Sequence, residues 1–314
     1  MRAPVQVGLV GAGPWAEMVH APMLAAGPEI ALSGVWARRP EAAGALAERF
    51  GTRPFGSFEE LLDNSEAVAF AVPPAVQADL AIQAAAAGKG VLLEKPVAEN
   101  LVDAERVADA IGSAGVVSIV TLTYRFAAAV RDFISEVSAI EFRGGRSLFL
   151  TNAYLGGPFA TEWRLSSGSL LDIGPHAIDL LEATVGPVVA VRAAHGARNW
   201  TAVTLEHANG AVSQVSLCSH AATDPLRIEL DLYNEEVTRW LDVTKAMGNV
   251  YGEILLTGNR PLGDAEAFQT LRSEFAHAVR SGEPHALDVQ YGLRLQRIVD
   301  AAGRDLATAG ERVL

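Results

Sequence analysis

Val5-Gln6-Val7-Gly8-Leu9-Val10-Gly11-Ala12-Gly13-Pro14-Trp15-Ala16 stands almost at the start of the chain, and its reading decides the fold. Val5–Val10 is an apolar-rich run that stops at glycine, and Met18–Ala26 after it has helical character. The segment therefore predicts a strand, a glycine turn and a helix. Gly11 allows the sharp turn, Gly13 lets backbone N–H groups approach an anion, and Ala16 is small enough for the helix to pack on the strand. The helix N-terminus adds partial positive charge. This context predicts a site for the pyrophosphate of a dinucleotide; the plainer alternative is an ordinary strand-to-helix turn.

The pattern repeats outward from that loop. Ile30–Trp36, Ala67–Val72, Val91–Glu94 and Val116–Thr121 read as strands, with helices at Pro40–Phe50, Ala75–Ala87 and Ala104–Ser113 between them. Apolar strands alternating with helices predict a parallel sheet covered on both faces. Right-handed crossovers make it doubly wound. Beyond about residue 122 the alternation ends. Val189–His195, Ala202–His207, Ala211–Leu217, Arg227–Tyr233 and Val237–Val243 read as strands with no helix between them, and Asn209-Gly210 marks a hairpin. Two helices, near Glu266–Ser281 and Gln290–Ala309, close the chain. The expected architecture is an α/β domain over residues 1–121 with a doubly wound parallel sheet, then an α+β domain over 122–314 with a mostly antiparallel open sheet.

Composition narrows the function. Half of the 314 residues are apolar, enough for a sizeable core, and a net charge of −12 argues against a nucleic-acid or anionic-membrane partner. Cys218 is the one cysteine, which excludes an intrachain disulfide and a cysteine-based zinc site. His20, His195, His207, His220, His277 and His285 show no metal-ligand spacing with a carboxylate, so no metal is expected and these read as structural or surface residues. Met1-Arg2-Ala3-Pro4 runs straight into the first strand without the pattern of a secretory signal, and no apolar stretch reaches about 18 residues. A cytoplasmic protein is expected.

The end of the second strand bears on which dinucleotide is held. An acidic residue there would accept from the ribose 2′-OH of NAD, whereas a nearby arginine suits the 2′-phosphate of NADP. The chain reads Val35-Trp36-Ala37-Arg38-Arg39-Pro40, with no acid and two arginines. A guanidinium forks onto phosphate and stacks on adenine, so Arg38 and Arg39 favour NADP over NAD. Otherwise both are solvated loop charges.

Two further motifs carry more. Gly88-Lys89-Gly90-Val91-Leu92-Leu93-Glu94-Lys95-Pro96 ends a strand in Glu-Lys-Pro, and Gly168-Ser169-Leu170-Leu171-Asp172-Ile173-Gly174-Pro175-His176 supplies Asp-x-x-x-His. With the glycine loop, Ala71-Val72-Pro73-Pro74, Tyr124-Arg125-Phe126 and Trp163-Arg164, these resemble the glucose–fructose oxidoreductase/inositol dehydrogenase (Gfo/Idh/MocA) family over nearly the whole chain. The resemblance implies a Rossmann domain in which Gly11, Gly13, Trp15, Ala16, Arg38, Arg39, Pro73, Glu94 and Lys95 bind the cofactor. It implies a catalytic trio of Lys95, Asp172 and His176, and Tyr124, Arg125, Trp163 and Arg164 in the substrate pocket. It also implies a homo-oligomer, dimer or tetramer, through the exposed sheet face.

The chemistry fits those roles. Oxidising a secondary alcohol of a sugar, cyclitol or related polyol, or reducing its ketone, moves a hydride at nicotinamide and a proton at oxygen. His176 suits the proton because imidazole titrates near neutrality. Lys95 can bond the same oxygen and stabilise alkoxide charge, and Asp172 can orient the imidazole or bind a hydroxyl. The plain alternatives are an exposed strand end at Glu94-Lys95, a helix cap at Asp172, a core histidine at His176 and interface packing for the pocket aromatics. Either a helix runs through Asp172 and Pro175 kinks it, or the helix begins at Pro175 and leaves Asp172 outside. Two other functions share the scaffold: reduction of a C=N or aromatic-diol-type substrate, and non-catalytic dinucleotide sensing. One departure stands out. Gln77 occupies a position where relatives often carry histidine, and it can hydrogen-bond there but not titrate.

Overall fold

A computed structural model describes residues 3–223, 226–248 and 266–308. Met1, Arg2 and Ala309, the expected last residue of the closing helix, lie outside the described residues. Packing divides the chain into two compact units. One holds the described residues up to 126 together with 266–294, the other holds 127–248 and 295–308.

The first unit is built on five strands: β1 (Val5–Val10), β2 (Ile30–Trp36), β3 (Ala67–Phe70), β4 (Gly90–Leu93) and β5 (Ser118–Val120). Their order is β2-β1-β3-β4-β5 and every pairing is parallel. All four residues of β3 and all four of β4 are buried, as expected of strands covered on both faces. Between them run α1 (Ala21–Ala25), α2 (Pro40–Arg49), α3 (Phe58–Asp63), α4 (Pro74–Ala86) and α5 (Leu101–Ala114). A short π-helical turn over Ala16–His20 leads into α1. Helix α5 has explicit ends: the Asn100 side chain accepts from the Asp103 N–H at 2.9 Å, and Gly115 takes the left-handed conformation that stops it. Such caps contribute about 1 kcal/mol.

The sequence pattern anticipated this sheet and its long helices. It missed α3, whose start is nonetheless signed by the Ser57 hydroxyl accepting from the Glu60 N–H at 3.1 Å. It also gave no sign that the chain's later part returns here. Helix Glu266–Ser281 is tied in by Arg272, which reaches Glu29 at 2.8 Å and the Met23 carbonyl at 3.3 Å. Beyond it, Leu287 accepts from the Val120 N–H at 2.8 Å, and the Val289 N–H reaches the Ser118 hydroxyl at 3.0 Å. Both bonds lie along β5, at the edge of the sheet.

The second unit contains α6 (Ala128–Val137), β6 (Gly144–Thr151), α7 (Glu162–Asp172), α8 (Gly174–Val185), β7 (Val188–His195), β8 (Thr201–His207), β9 (Val212–Cys218), β10 (Leu226–Tyr233), β11 (Thr238–Asp242) and α9 (Val243–Ala246). Strand order is β11-β10-β6-β9-β8-β7. Every pairing is antiparallel except β6 with β9, so the sheet is mostly antiparallel, as expected. Strand β6, unforeseen in the sequence, is central. The Asn-Gly hairpin joins β8 to β9 with Gly210 at φ 83°. Helix α8 is buried along most of its length and packs on β6, β9 and β10. Leu230, Leu232, Val203, Leu205 and Val215 form the buried side of the sheet. Arg146, Gln214 and Trp240, which alternate with them, are exposed on the other.

Candidate active site

In the first unit the parallel strands deliver the predicted residues to one edge. Gly11 follows β1, Arg38 and Arg39 follow β2, Pro73 caps α4 after β3, and Glu94 and Lys95 follow β4. Tyr124 and Arg125 lie in the helical turn Thr123–Phe126 after β5. All therefore stand at the carboxyl ends of the strands, where open α/β sheets bind ligands, and the glycine loop lies at the β1/β3 switch point. Tyr124 is buried, Arg125 and Lys95 are partly buried, and Arg38 and Arg39 are both exposed.

The two loop glycines do different work. Gly11 sits at φ +117°, and a Cβ there would come within 2.3 Å of the Ala71 carbonyl oxygen. Its N–H donates to Trp36 at 2.8 Å, which holds the loop against the end of β2. Gly13 has nothing within 4 Å of where a Cβ would stand. The helix begins at Pro14, with the Glu17 N–H on the Gly13 carbonyl at 3.0 Å, and Gly13 has no side chain with which to cap it. A bare backbone facing open space at an uncapped helix start fits a pyrophosphate.

Glu94 joins the two loops of this edge. Its Oε1 accepts from Trp15 Nε1 at 2.8 Å and lies 2.7 Å from His20 Nε2. Burial pushes this carboxyl up, but the His20 hydrogen bond, the charges of His20 and Lys95 and the Trp15 hydrogen bond outweigh it and hold the carboxyl below the usual range. A lowered carboxyl stabilises the fold above its ordinary pKa, and the contribution is lost as pH falls through the lowered value. Glu94→Gln keeps an acceptor for Trp15 but no charge. Its melting temperature is expected to lie below that of the parent near neutrality, with the gap closing between about pH 6 and about pH 3. Parallel thermal melts across that range check it; a constant gap contradicts the charge argument.

Gln77 meets the same segment from α4 and is fully buried. Its Oε1 accepts from the Glu94 N–H at 2.8 Å. Its Nε2 lies 2.8 Å from the Glu94 carbonyl, 3.0 Å from that of Val97 and 3.3 Å from that of Pro96.

In the second unit the candidate residues gather at the junction of α7 and α8. Gly168, at φ 76° and ψ 175°, breaks α7. The Ser169 hydroxyl then accepts from the Ser219 N–H at 2.9 Å, which pins the turn that carries Asp172. Helix α8 begins at Gly174 with Pro175 in its first turn, so Asp172 ends one helix and His176 opens the next. Both are buried.

One oxygen of Asp172 is shared by two partners. The Tyr154 hydroxyl donates to Oδ2 at 3.1 Å, and Arg164 Nε stands 3.6 Å from the same atom. Burial, the Asp172 charge and the bond donated to it push the Tyr154 phenol far above its ordinary range, so it remains a donor at any working pH. The Arg164 guanidinium lies over the rings of Phe159 and Trp163, at 5.3 and 5.1 Å from their centroids. Phe159 also borders a concavity of about 290 Å³ formed by the loop after β6. His176 packs near Phe149, with 6.3 Å between ring centroids.

The sequence named Lys95, Asp172, His176, Trp163 and Arg164, but not Tyr154. A lone tyrosine in a glycine-rich loop carries no periodic or spacing signal. Among the described residues no group of three His, Cys, Asp or Glu is arranged to hold a metal, and no helix is long and apolar enough to cross a membrane.

A five-stranded parallel sheet with a glycine turn at its switch point, followed by an open, mostly antiparallel sheet, defines a doubly wound α/β unit of the nucleotide-binding type with a second α+β unit. Family models specify it further. Residues 5–122 match the oxidoreductase family with an NAD-binding Rossmann fold, and residues 136–235 match the GFO/IDH/MocA C-terminal domain. The chain belongs to the Gfo/Idh/MocA oxidoreductase family.

Levoglucosan dehydrogenase of Pseudarthrobacter phenanthrenivorans is 31% identical over 165 residues, which cover 49% of this chain and 42% of that one. Glucose-6-phosphate 3-dehydrogenase of Bacillus subtilis is 31% identical over 56% of this chain and 52% of that one. The chain thus spans about half the length of these curated relatives. The structure of GenD2 from gentamicin A biosynthesis, in complex with NAD, shares the fold with a TM-score of 0.85 at 24% identity, covering 99% of this chain and 96% of that one.

Proposed function

We propose that the protein is a nicotinamide-dependent dehydrogenase or reductase acting on a secondary alcohol or ketone of a sugar, cyclitol or related polyol. The observation that carries this reading is the Asp172–His176 junction, where a buried carboxylate with assigned partners precedes a buried histidine by one turn. The sugar dehydrogenases among its relatives support the substrate class. In this reading residues 1–121 hold the cofactor and 122–314 bind substrate and form the contacts of a homo-oligomer.

Gly11, Gly13, Trp15 and Ala16 hold the pyrophosphate, with Pro73 and Glu94 shaping the same edge. A bound nicotinamide would supply the hydride acceptor or donor. His176 takes the proton from the substrate hydroxyl during oxidation and gives it back during reduction. Lys95 donates a hydrogen bond to the same oxygen and stabilises it as charge develops. Asp172, fixed by Tyr154 and Arg164, orients the imidazole or receives a neighbouring hydroxyl. Tyr124, Arg125 and Trp163 contact the sugar. A panel of levoglucosan, glucose 6-phosphate and free cyclitols with NAD and NADP tests the reading; the absence of turnover in both directions across such a panel would sink it.

We further propose that NADP is the preferred cofactor. Arg38 and Arg39 follow β2, whose last residue Trp36 is bonded directly to the glycine loop, and no acidic residue stands there. Replacing both arginines by alanine is expected to weaken NADP binding about 10–100-fold while changing NAD binding little. Fluorescence titration of the two reduced cofactors reads the difference, and an equal loss for both would count against the 2′-phosphate contact.

A further inference from the structure

We infer that Gln77 is the positioning residue for Lys95, holding the backbone on which the ammonium is mounted. The inference rests on the reading of Lys95 as a catalytic group.

Strand β4 ends at Leu93, so the ladder no longer fixes the residues that follow. Glu94 N–H and C=O would need other partners at the point where the chain must be most exact. Gln77 supplies both. The amide's Oε1 and Nε2 branch from one carbon and point the same way. They meet the N–H and C=O of a single residue, each at 2.8 Å, as a neighbouring strand would. The second amide hydrogen serves the Val97 and Pro96 carbonyls at 3.0 and 3.3 Å. Lys95 is therefore bracketed: the residue before it is held at both backbone groups, and the two after it at their carbonyls. Gln77 is fully buried, so no water competes for these bonds.

An amide suits this task better than an imidazole. The two ring nitrogens of histidine diverge and cannot both face one residue, and a protonated ring has no acceptor for the Glu94 N–H. The segment that the clamp holds carries the Glu94 carboxylate, with His20 on it, and the Lys95 ammonium. An amide leaves that balance unchanged at every pH.

Gln77→Met removes the bonds at similar size. It is expected to lower kcat about 10–100-fold, with the KM of cofactor and substrate changed no more than about twofold. In a Lys95→Met background the same substitution is expected to cost no more than about twofold, because the group it positions is gone. Equal costs in the two backgrounds, or unchanged kcat in the single variant, would overturn the inference. Unchanged turnover in Lys95→Met alone would instead remove the catalytic reading of Lys95 on which it rests.

A readout independent of substrate is the acetylation rate of Lys95 by acetic anhydride in the cofactor-free chain. Gln77→Met is expected to change it at least about threefold while leaving exposed Lys245 unaffected. Identical Lys95 rates would also overturn the inference. Gln77→Glu covers the case in which methionine prevents folding. As an acid its O–H and C=O reproduce the acceptor and one of the amide's two donors; once ionised it faces three carbonyls with no donor. Its kcat relative to the parent should therefore fall at least about tenfold between about pH 5.5 and about pH 8.5. A ratio flat across that range contradicts the clamp.

Discussion

Turnover by the His176→Ala protein is expected to fall about 10²–10⁴-fold, with cofactor affinity unchanged. His176 lies in the first turn of α8, whereas the glycine loop follows β1, so the substitution leaves every residue of that loop in place. Lys95→Ala is expected to lower kcat by a comparable factor, because a developing alkoxide then lacks its cation. A double variant no worse than either single one would identify the two as parts of one machine. Stopped-flow hydride transfer on any substrate that the panel identifies, with cofactor titrations alongside, reads both quantities. Retention of full turnover by His176→Ala would end its assignment as general acid and base.

The second large effect concerns the glycine loop, where substitutions at two neighbouring glycines are both expected to weaken cofactor binding but only one to cost stability. Gly11→Ala introduces a Cβ 2.3 Å from a backbone oxygen at a φ of +117°, so β1 and the chain after β3 must part. The expected cost is about 2–4 kcal/mol of stability together with a loss of cofactor binding of at least about 100-fold. Gly13→Ala meets nothing within 4 Å, so its melting temperature is expected to match that of the parent. Its cofactor affinity is nonetheless expected to fall, since the added methyl group stands where a phosphate would approach. Thermal melts and cofactor titrations on the pair distinguish the two effects. Normal cofactor affinity in Gly13→Ala would mean that the pyrophosphate does not lie over that backbone.

These effects bear on how much of the protein was written in local sequence. The parallel sheet was legible because fully buried strands read as short apolar runs and the helices between them are long. Gly11 was legible for a related reason: only glycine tolerates its φ, so the residue type reports the backbone. Strand β6 escaped notice because Gly144-Gly145-Arg146-Ser147 has little apolar alternation, and its identity as a strand comes from the neighbours β10 and β9 on either side. The start of α8 stayed ambiguous in the sequence, since Pro175 suits either a kink or a first turn. The break at Gly168 and the pinning of Ser169 by Ser219, fifty residues away, decide for the first turn.

The candidate site divides along the same line. Residue type and short-range context picked out Gly11 and Gly13, because a glycine turn is a local property, whereas Lys95, Asp172 and His176 were singled out by motifs that resemble the family's. What holds those groups was invisible locally. Tyr154 and Arg164 converge on one Asp172 oxygen, Glu94 ties the Trp15 turn to the Lys95 loop, and Gln77 closes the backbone after β4 from 17 residues away. The sequence by itself determined the parallel strands, the long helices between them and the glycine turn, since periodicity and backbone preference act within a few residues. Only the tertiary structure decided their partners, since a hydrogen bond between distant residues depends on where packing brings each element.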